Sequence, residues 1–369
     1  MKNITRFTKI EVENSFQRKK YLQRIDQILK HGKIILGPET IKLEKKLSNY
    51  LNAKYCLLTG SGTDSLFVSI KALNFKPGDE IITTPLAWVT TANSIILNNC
   101  KPVFADIGDD LNLDIKSIES LINKKTKGLL LVHFAGLPND MNKIIKLVNK
   151  YNLKLIEDCA HSFGSTFQKR HCGTFGSFGC FSLNSMKIFG SFGELGAVIT
   201  NNKKLYNKIS LLRYAGTLNK IDCIQPSLNF KPDGFQSSVM LEKFNNLKSI
   251  LKKRNDIAKY YTKYLNNNIL LPNSSKKIRQ SFYEFIIRLK NRDKLKDFLL
   301  KNKIESKIET PILIPKQTYY KKKFFVRLNI RNALKLSPKL LCLPIHESLK
   351  WNEVKKIVNL VNLFLLKNK

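Results

Sequence analysis

The sequence predicts an α/β fold: a mainly parallel sheet flanked by helices, followed by a smaller C-terminal α+β domain. Three observations lead there. From Tyr55 to Thr200, short apolar runs alternate with stretches of helical periodicity, the pattern of a sheet built from crossover units. Runs such as Gly128-Leu129-Leu130-Leu131-Val132 are continuously apolar, as expected of strands covered on both faces. A third run, Leu153 to Ile156, ends abruptly in the acid pair Glu157-Asp158. A parallel strand delivers carboxylates in this way to its C-terminal edge, where ligands of such sheets bind.

In chain order, residues 1–15 read as a polar leader, 16–245 as the large domain and 246–369 as the small one. Tyr21 to Leu29 has helical spacing, and the turn Gly32 to Glu39 feeds a second helix, Thr40 to Leu51. Tyr55 to Thr59 reads as a strand, and Gly60-Ser61-Gly62-Thr63-Asp64 opens a helix that runs to about Leu73. A strand, a small-residue turn and a helix N-terminus make an anion site, because free N–H groups and the helix dipole point at the ligand. Gly62 allows close backbone approach, and the Thr63 hydroxyl adds a donor. Neither G-x-G-x-x-G nor G-K-[ST] is present, so this is not a dinucleotide fingerprint or a P-loop.

Lys76 to Pro85 reads as a turn and then a strand, Pro102 to Ile107 as another strand, and Ile115 to Ile122 and Met141 to Tyr151 as helices. His133, at the end of the Gly128 run, reads as a satisfied core histidine. Past residue 200, Leu205 to Tyr214 looks helical, and Gln236 to Asn266 reads as one long amphipathic helix. Ser281 to Ile287 is expected as a strand, with helices at Asp293 to Lys301 and Trp351 to Leu366.

One lysine stands out from the many. Cys180 to Leu183 reads as a short strand running into a turn that carries Lys187, followed by the glycine-rich run Gly190 to Gly196. An acid at one strand end and a lysine after the next suggest pyridoxal phosphate chemistry. A carboxylate holds the pyridine nitrogen protonated and an amine forms a Schiff base.

Composition sets bounds. The 369 residues suffice for one large and one smaller core, and 43% hydrophobic with 25% charged residues is an ordinary globular balance. The formal charge is +36, from 64 Lys+Arg against 28 Asp+Glu. The excess is mostly lysine spread along the whole chain. It reads as a compositional bias of the surface, and no nucleic acid is expected as partner. The seven cysteines are odd in number and contain no C-x-x-C pair, which favours a reducing cytoplasm. The five histidines lack metal-ligand spacing, so no metal is expected. The first residues lack the apolar core of a signal peptide, and no run approaches the length of a membrane span.

Four segments in order resemble the DegT/StrS family of sugar aminotransferases: Glu157-Asp158-Cys159-Ala160-His161, Gly176 to Ser182, Lys187, and Gly193-Glu194-Leu195-Gly196. The resemblance is good over about residues 30–260 and loose in the C-terminal third. It implies a fold type I pyridoxal 5'-phosphate enzyme with a seven-stranded sheet. In it Lys187 would carry the cofactor as a Schiff base and shuttle the proton, and Asp158 would pair with the pyridinium nitrogen, leaving Glu157 structural. His161 would meet the cofactor's 3'-oxygen. Trp88 would stack on the ring, Ala160 would pack on its other face, and Gly62, Thr63 and Ser182 would bind the phosphate. Ser227-Leu228-Asn229-Phe230 resembles the segment whose asparagine reaches the partner subunit's cofactor, implying a homodimer with shared sites. Leu228 and Pro232 depart from that pattern. Gly37 would lie near the sugar.

The resemblance further implies transfer of an amino group, usually from glutamate with release of 2-oxoglutarate, to a nucleotide-linked keto sugar. Such products serve surface polysaccharides, O-antigens among them. Lysine at 187 favours transamination over dehydration. A lyase of the same fold, or a regulator or nucleic-acid binder, are the rival outcomes. Residues 312–330 depart most from the family: Lys316, Lys321, Lys322, Lys323 and Arg327 alternate with Tyr319, Tyr320, Phe324 and Phe325. They form either a diphosphate contact or a solvated loop.

Overall fold

A seven-stranded sheet organises the computed structural model, which describes residues 4–266, 277–323 and 330–367. Its strands are β1 (Tyr55–Thr59), β2 (Glu80–Thr83), β3 (Lys101–Phe104), β4 (Thr126–Val132), β5 (Lys154–Asp158), β6 (Phe178–Ser182) and β7 (Gly196–Thr200). Their order is β1-β7-β6-β5-β4-β2-β3. The pairings β3–β2–β4–β5–β6 are parallel, and β7 runs antiparallel between β6 and β1. The expected mainly parallel sheet is therefore present. The C-terminal ends of β1, β5 and β6 lie on one edge, carrying Thr59, Asp158 and Ser182.

Helices cover both faces for reasons visible in the sequence. In α6 (Met141–Lys150), Asp140 caps the first turn by accepting from the Lys143 N–H, and Met141, Ile144, Leu147 and Val148 form the buried stripe. That stripe packs with Leu129, Leu131 and Leu155 of the sheet. On the other face, α3 (Gly62–Ala72) is buried almost all round and lies on β6 and β7.

The expected helix Gln236 to Asn266 is two helices, α8 (Gly234–Lys243) and α9 (Leu247–Tyr264), joined by a single 3₁₀ turn at Phe244–Asn246. The expected strand Ser281 to Ile287 is shorter. Only β8 (Phe285–Arg288) is extended, paired antiparallel with β9 (Leu340–Leu343). Phe282, at φ 54, breaks the run in the left-handed region that non-glycine residues seldom occupy.

A second core gathers Ile257 and Tyr261 of α9, Phe285 and Ile287 of β8, and Val354, Ile357 and Val361 of α13 (Trp351–Lys367). The C-terminal third is divided, however. Leu313, Ile314, Tyr320, Ala333 and Leu336 join the first core, with Phe104 and Ile107. The Asp106 carboxylate accepts the Asn332 and Ala333 N–H groups at 2.7 and 2.9 Å, tying this segment to the end of β3.

The N-terminal segment read as a leader is docked. Thr5 exchanges backbone hydrogen bonds with Lys303 and Glu305, and its hydroxyl donates to Glu353 at 3.1 Å. The Phe7 N–H donates to Glu305 at 2.9 Å. The first helix, α1 (Ser15–His31), begins after the Asn14 cap. Among the described residues no helix is long and apolar enough to cross a membrane.

Candidate active site

The sheet edge opens into a cavity of about 410 Å³. Gly62, Thr63, Trp88, Asp158, Ala160, His161, Ser182 and Lys187 all line it. Residues scattered from 62 to 187 in the sequence are thus brought together. Asn229 is exposed and does not line this chain's cavity. Gly37 is likewise absent from it. Its place is set by backbone crowding, since a Cβ there would lie 2.0 Å from the Lys33 carbonyl oxygen.

At one end of the cavity, α3 starts directly after β1. The Ser61 hydroxyl accepts from the Asp64 N–H, leaving the first-turn N–H groups at Gly62 and Thr63 without intrahelical acceptors. A Cβ on Gly62 would lie 2.6 Å from the Ser182 Cβ, so only glycine lets the helix start meet β6. Free N–H groups, two hydroxyls and a helix N-terminus suit a phosphate.

Deeper in, Asp158 is almost fully buried. It accepts from the Thr91 hydroxyl at 3.0 Å and from the Ala160 N–H at 3.1 Å. Burial raises its pKa, while those two donors and Lys187 oppose the shift. Glu157 has a different role. It accepts from the N–H groups of Gly173, Phe175 and Gly176 at 2.7–2.8 Å and is 3.0 Å from His133 Nε2. His133 is fully buried and also accepts from the Asn139 N–H, as a core histidine should. Successive residues on a strand point to opposite faces, which separates Glu157 from the cavity and places Asp158 in it.

Lys187 Nζ is 3.3 Å from the Tyr283 hydroxyl. Burial lowers the lysine's pKa, opposed in turn by the fields of Glu309, Glu284 and Asp158. His161 is buried, stacks on Tyr283 at 4.2 Å, and its Nδ1 has no partner. Burial, then Lys187 and Lys307, hold it well below the usual histidine range, so it is neutral. Trp88 is no core residue: it is 67% exposed and stands between the cavity and a second one of about 910 Å³. That second cavity includes Lys316, Tyr319, Tyr320 and Lys321. Tyr320 is buried and donates to Asn93 at 2.6 Å, while Lys316, Lys321 and Lys322 are exposed. Phe324, Phe325 and Arg327, and the Lys323 side chain, lie outside the described residues.

Sequence reasoning missed Thr91, Tyr283, Glu284, Lys307 and Glu309, all of which line the cavity, and Phe7 and Thr8 of the supposed leader line it too. The one available signal was Glu284, an acid inside an apolar run. The residues present fit pyridoxal phosphate on three counts: the phosphate cradle at Gly62 and Ser182, the buried acid Asp158 for a ring nitrogen, and the unpartnered His161 Nδ1 beside the Lys187 amine.

Comparison with known proteins agrees. The family model for the DegT/DnrJ/EryC1/StrS aminotransferase family matches residues 16–362. The chain is 29% identical over 351 residues to a dTDP-3-amino-3,6-dideoxy-alpha-D-galactopyranose transaminase of Aneurinibacillus thermoaerophilus, covering 95% of this chain and 96% of the relative. It is 30% identical over 295 residues to a UDP-2-acetamido-2-deoxy-3-oxo-D-glucuronate aminotransferase of Pseudomonas aeruginosa, covering 79% and 82%. The crystal structure of ntda from Bacillus subtilis with bound cofactor PMP superposes with a TM-score of 0.89 at 27% identity, covering 96% of this chain and 83% of that one. This family of enzymes depends on pyridoxal phosphate, and the chain belongs to it: it is a DegT/DnrJ/EryC1/StrS aminotransferase.

Proposed function

We propose that the enzyme binds pyridoxal 5'-phosphate on Lys187 and moves an amino group from L-glutamate to a nucleotide-linked keto sugar, for amino-sugar synthesis in surface polysaccharides. The observation that carries this is the single cavity in which the Lys187 amine, the buried Asp158 and the Gly62–Ser182 anion cradle converge. When bound, the cofactor supplies an electron sink for breaking the Cα–H bond of the donor.

The chain's own residues do the rest. Gly62, Thr63 and Ser182 anchor the phosphate while the lysine is free. Asp158, fixed by Thr91 and Ala160, pairs with the ring nitrogen and keeps it protonated. Neutral His161 donates to the ring oxygen. Trp88 and Ala160, both lining the cavity, would hold the ring, the tryptophan by stacking and the alanine by leaving it room. Lys187, whose pKa burial lowers, takes the proton from the donor carbon and returns it to the product.

The relatives' names support a nucleotide sugar as acceptor. A homodimer with Asn229 completing the partner's site accounts for that residue's exposure on its own chain. Seven free cysteines, six of them buried, suit a reducing cytoplasm.

The test is an absorption spectrum of purified, cofactor-loaded protein before and after L-glutamate. A visible band that shifts into the near ultraviolet with glutamate, and returns with a keto-sugar nucleotide, supports the reading. No band after loading overturns it.

A further inference from the structure

A charged group in the cavity is used by none of the steps above. Arg254, on α9, lines it together with Lys187. The arginine is 5% exposed. Its Nη1 donates to the carbonyls of Phe282, Tyr283 and Ile345 at 3.1, 3.4 and 2.7 Å, which fixes the plane of the guanidinium. Its Nε is buried and has no partner. Its ion pair with Glu347 runs from Nη2 at 3.5 Å to a carboxylate that is 37% exposed, a loose match for a buried charge. Tyr283 ties this cation to the reacting amine: its carbonyl accepts from Arg254 and its hydroxyl from Lys187.

A buried N–H without an acceptor carries the desolvation penalty of the group, and a charged group carries more. Nε and Nη2 form the edge on which a guanidinium takes a carboxylate with two parallel hydrogen bonds. The acids nearby leave room for such an anion. Burial, and then Glu309, push the Glu284 pKa well above the usual carboxylate range, so its carboxyl is neutral. Glu309 itself is paired with Lys307. In an amino-acid donor, the carboxylate that must lie near Lys187 is the one bonded to the reacting carbon. The ring ketone of a sugar carries no carboxylate on that carbon.

We propose that Arg254 anchors the α-carboxylate of the amino donor through Nε and Nη2, and so turns the donor's Cα–H toward Lys187. The anchor rests on the aminotransferase reading given above. It names what the site requires of a donor, a free α-amino acid, and it serves the donor half of the cycle.

Stopped-flow absorbance of cofactor-loaded Arg254→Lys and Arg254→Met tests it, with L-glutamate, L-glutamine and hydroxylamine as probes. The variants should need about 10- to 100-fold more of either amino acid to reach half of the limiting rate. Lysine keeps a charge without the planar fork, so Arg254→Lys should show the milder loss. Hydroxylamine has no carboxylate and displaces Lys187 from the same cofactor. Its rate should stay within about threefold of wild type, which a merely structural arginine would not allow. Should Arg254→Met fail to fold, Arg254→Lys carries the comparison. The wild type gives a test without any variant: 4-aminobutyrate is L-glutamate lacking the α-carboxylate, and it should be a poorer substrate by about a hundredfold or more.

Unchanged half-saturation for both amino acids, or an equal slowing with hydroxylamine, overturns the anchor. So does 4-aminobutyrate as good as L-glutamate. A loss shared by L-glutamate but not by L-glutamine would put the arginine on the side-chain carboxylate and overturns it too. Each of these, in a wild type that responds to L-glutamate, leaves the aminotransferase reading standing. A loaded wild type that answers hydroxylamine but neither amino acid sinks both.

Discussion

The Lys187 amine donates to the Tyr283 hydroxyl at 3.3 Å and lies 4.4 Å from the centroid of the same ring. Tyr283 in turn stacks on His161. One tyrosine therefore positions both the amine and the histidine expected to meet the ring oxygen. Tyr283→Phe keeps the stack and removes the hydroxyl. A hydrogen bond to a chargeable group contributes about 1.5–3 kcal/mol, so the glutamate half-reaction should slow by roughly 10- to 100-fold. Stopped-flow absorbance gives the rate, and a thermal melt should show an unchanged fold.

The buried lysine makes stability depend on pH. Its pKa in the folded protein lies below the ordinary 10.5. Between those two values the unfolded chain binds more protons than the folded one, so stability rises with pH across that window. Below the window the charged amine is fully present in the folded state, and its penalty with it. Melting temperatures of cofactor-free protein should therefore climb relative to Lys187→Met as pH approaches 10.5. Parallel curves for the two proteins would contradict the assignment.

Gly62→Ala places a methyl 2.6 Å from the Ser182 Cβ, where backbone as well as side chain must move. Overpacking of this kind costs about 1–3 kcal/mol. We expect a lower melting temperature and weaker pyridoxal phosphate binding, followed by tryptophan fluorescence.

Asp158→Asn keeps the shape but removes the anion. An asparagine can still accept from only one of its two present donors, the Thr91 hydroxyl or the Ala160 N–H. Cofactor should still bind, while the glutamate half-reaction falls about a hundredfold or more. Thr91→Val, which leaves the carboxylate charged, should have the smaller effect.

If Asn229 serves the partner's site, two defective chains should complement. Mixed Lys187→Ala and Asn229→Ala subunits form heterodimers with one intact site. After unfolding and refolding together, activity should recover to about a quarter of wild type, as random pairing in a two-fold dimer requires. No recovery, with dimers shown by sedimentation, would place Asn229 elsewhere.

Much of the site was legible because it is local. Asp158 and Lys187 sit at the ends of short apolar runs, and Gly62-Thr63 opens a helix directly after a strand. Each signal spans a few residues; strand periodicity puts Asp158 and Glu157 on opposite faces, and the family resemblance picked out Asp158. The other wall was not legible. Reading Ser281 to Ile287 as one strand would send Tyr283 and Glu284 to opposite faces. The left-handed Phe282 ends the extended run, and both side chains line the cavity.

The sequence by itself determined the strand–helix alternation, the residues at the sheet edge that line the cavity, and the family. These follow from periodicity, turn chemistry and spacing within a contiguous stretch. Only the tertiary structure decided that Tyr283, Glu284, Lys307 and Glu309 face Lys187, and that Phe7 and Thr8 come to line the same cavity. Those contacts span about a hundred residues or more. They are set by how the second core, the docked N-terminal segment and the sheet edge pack together, which no local pattern encodes.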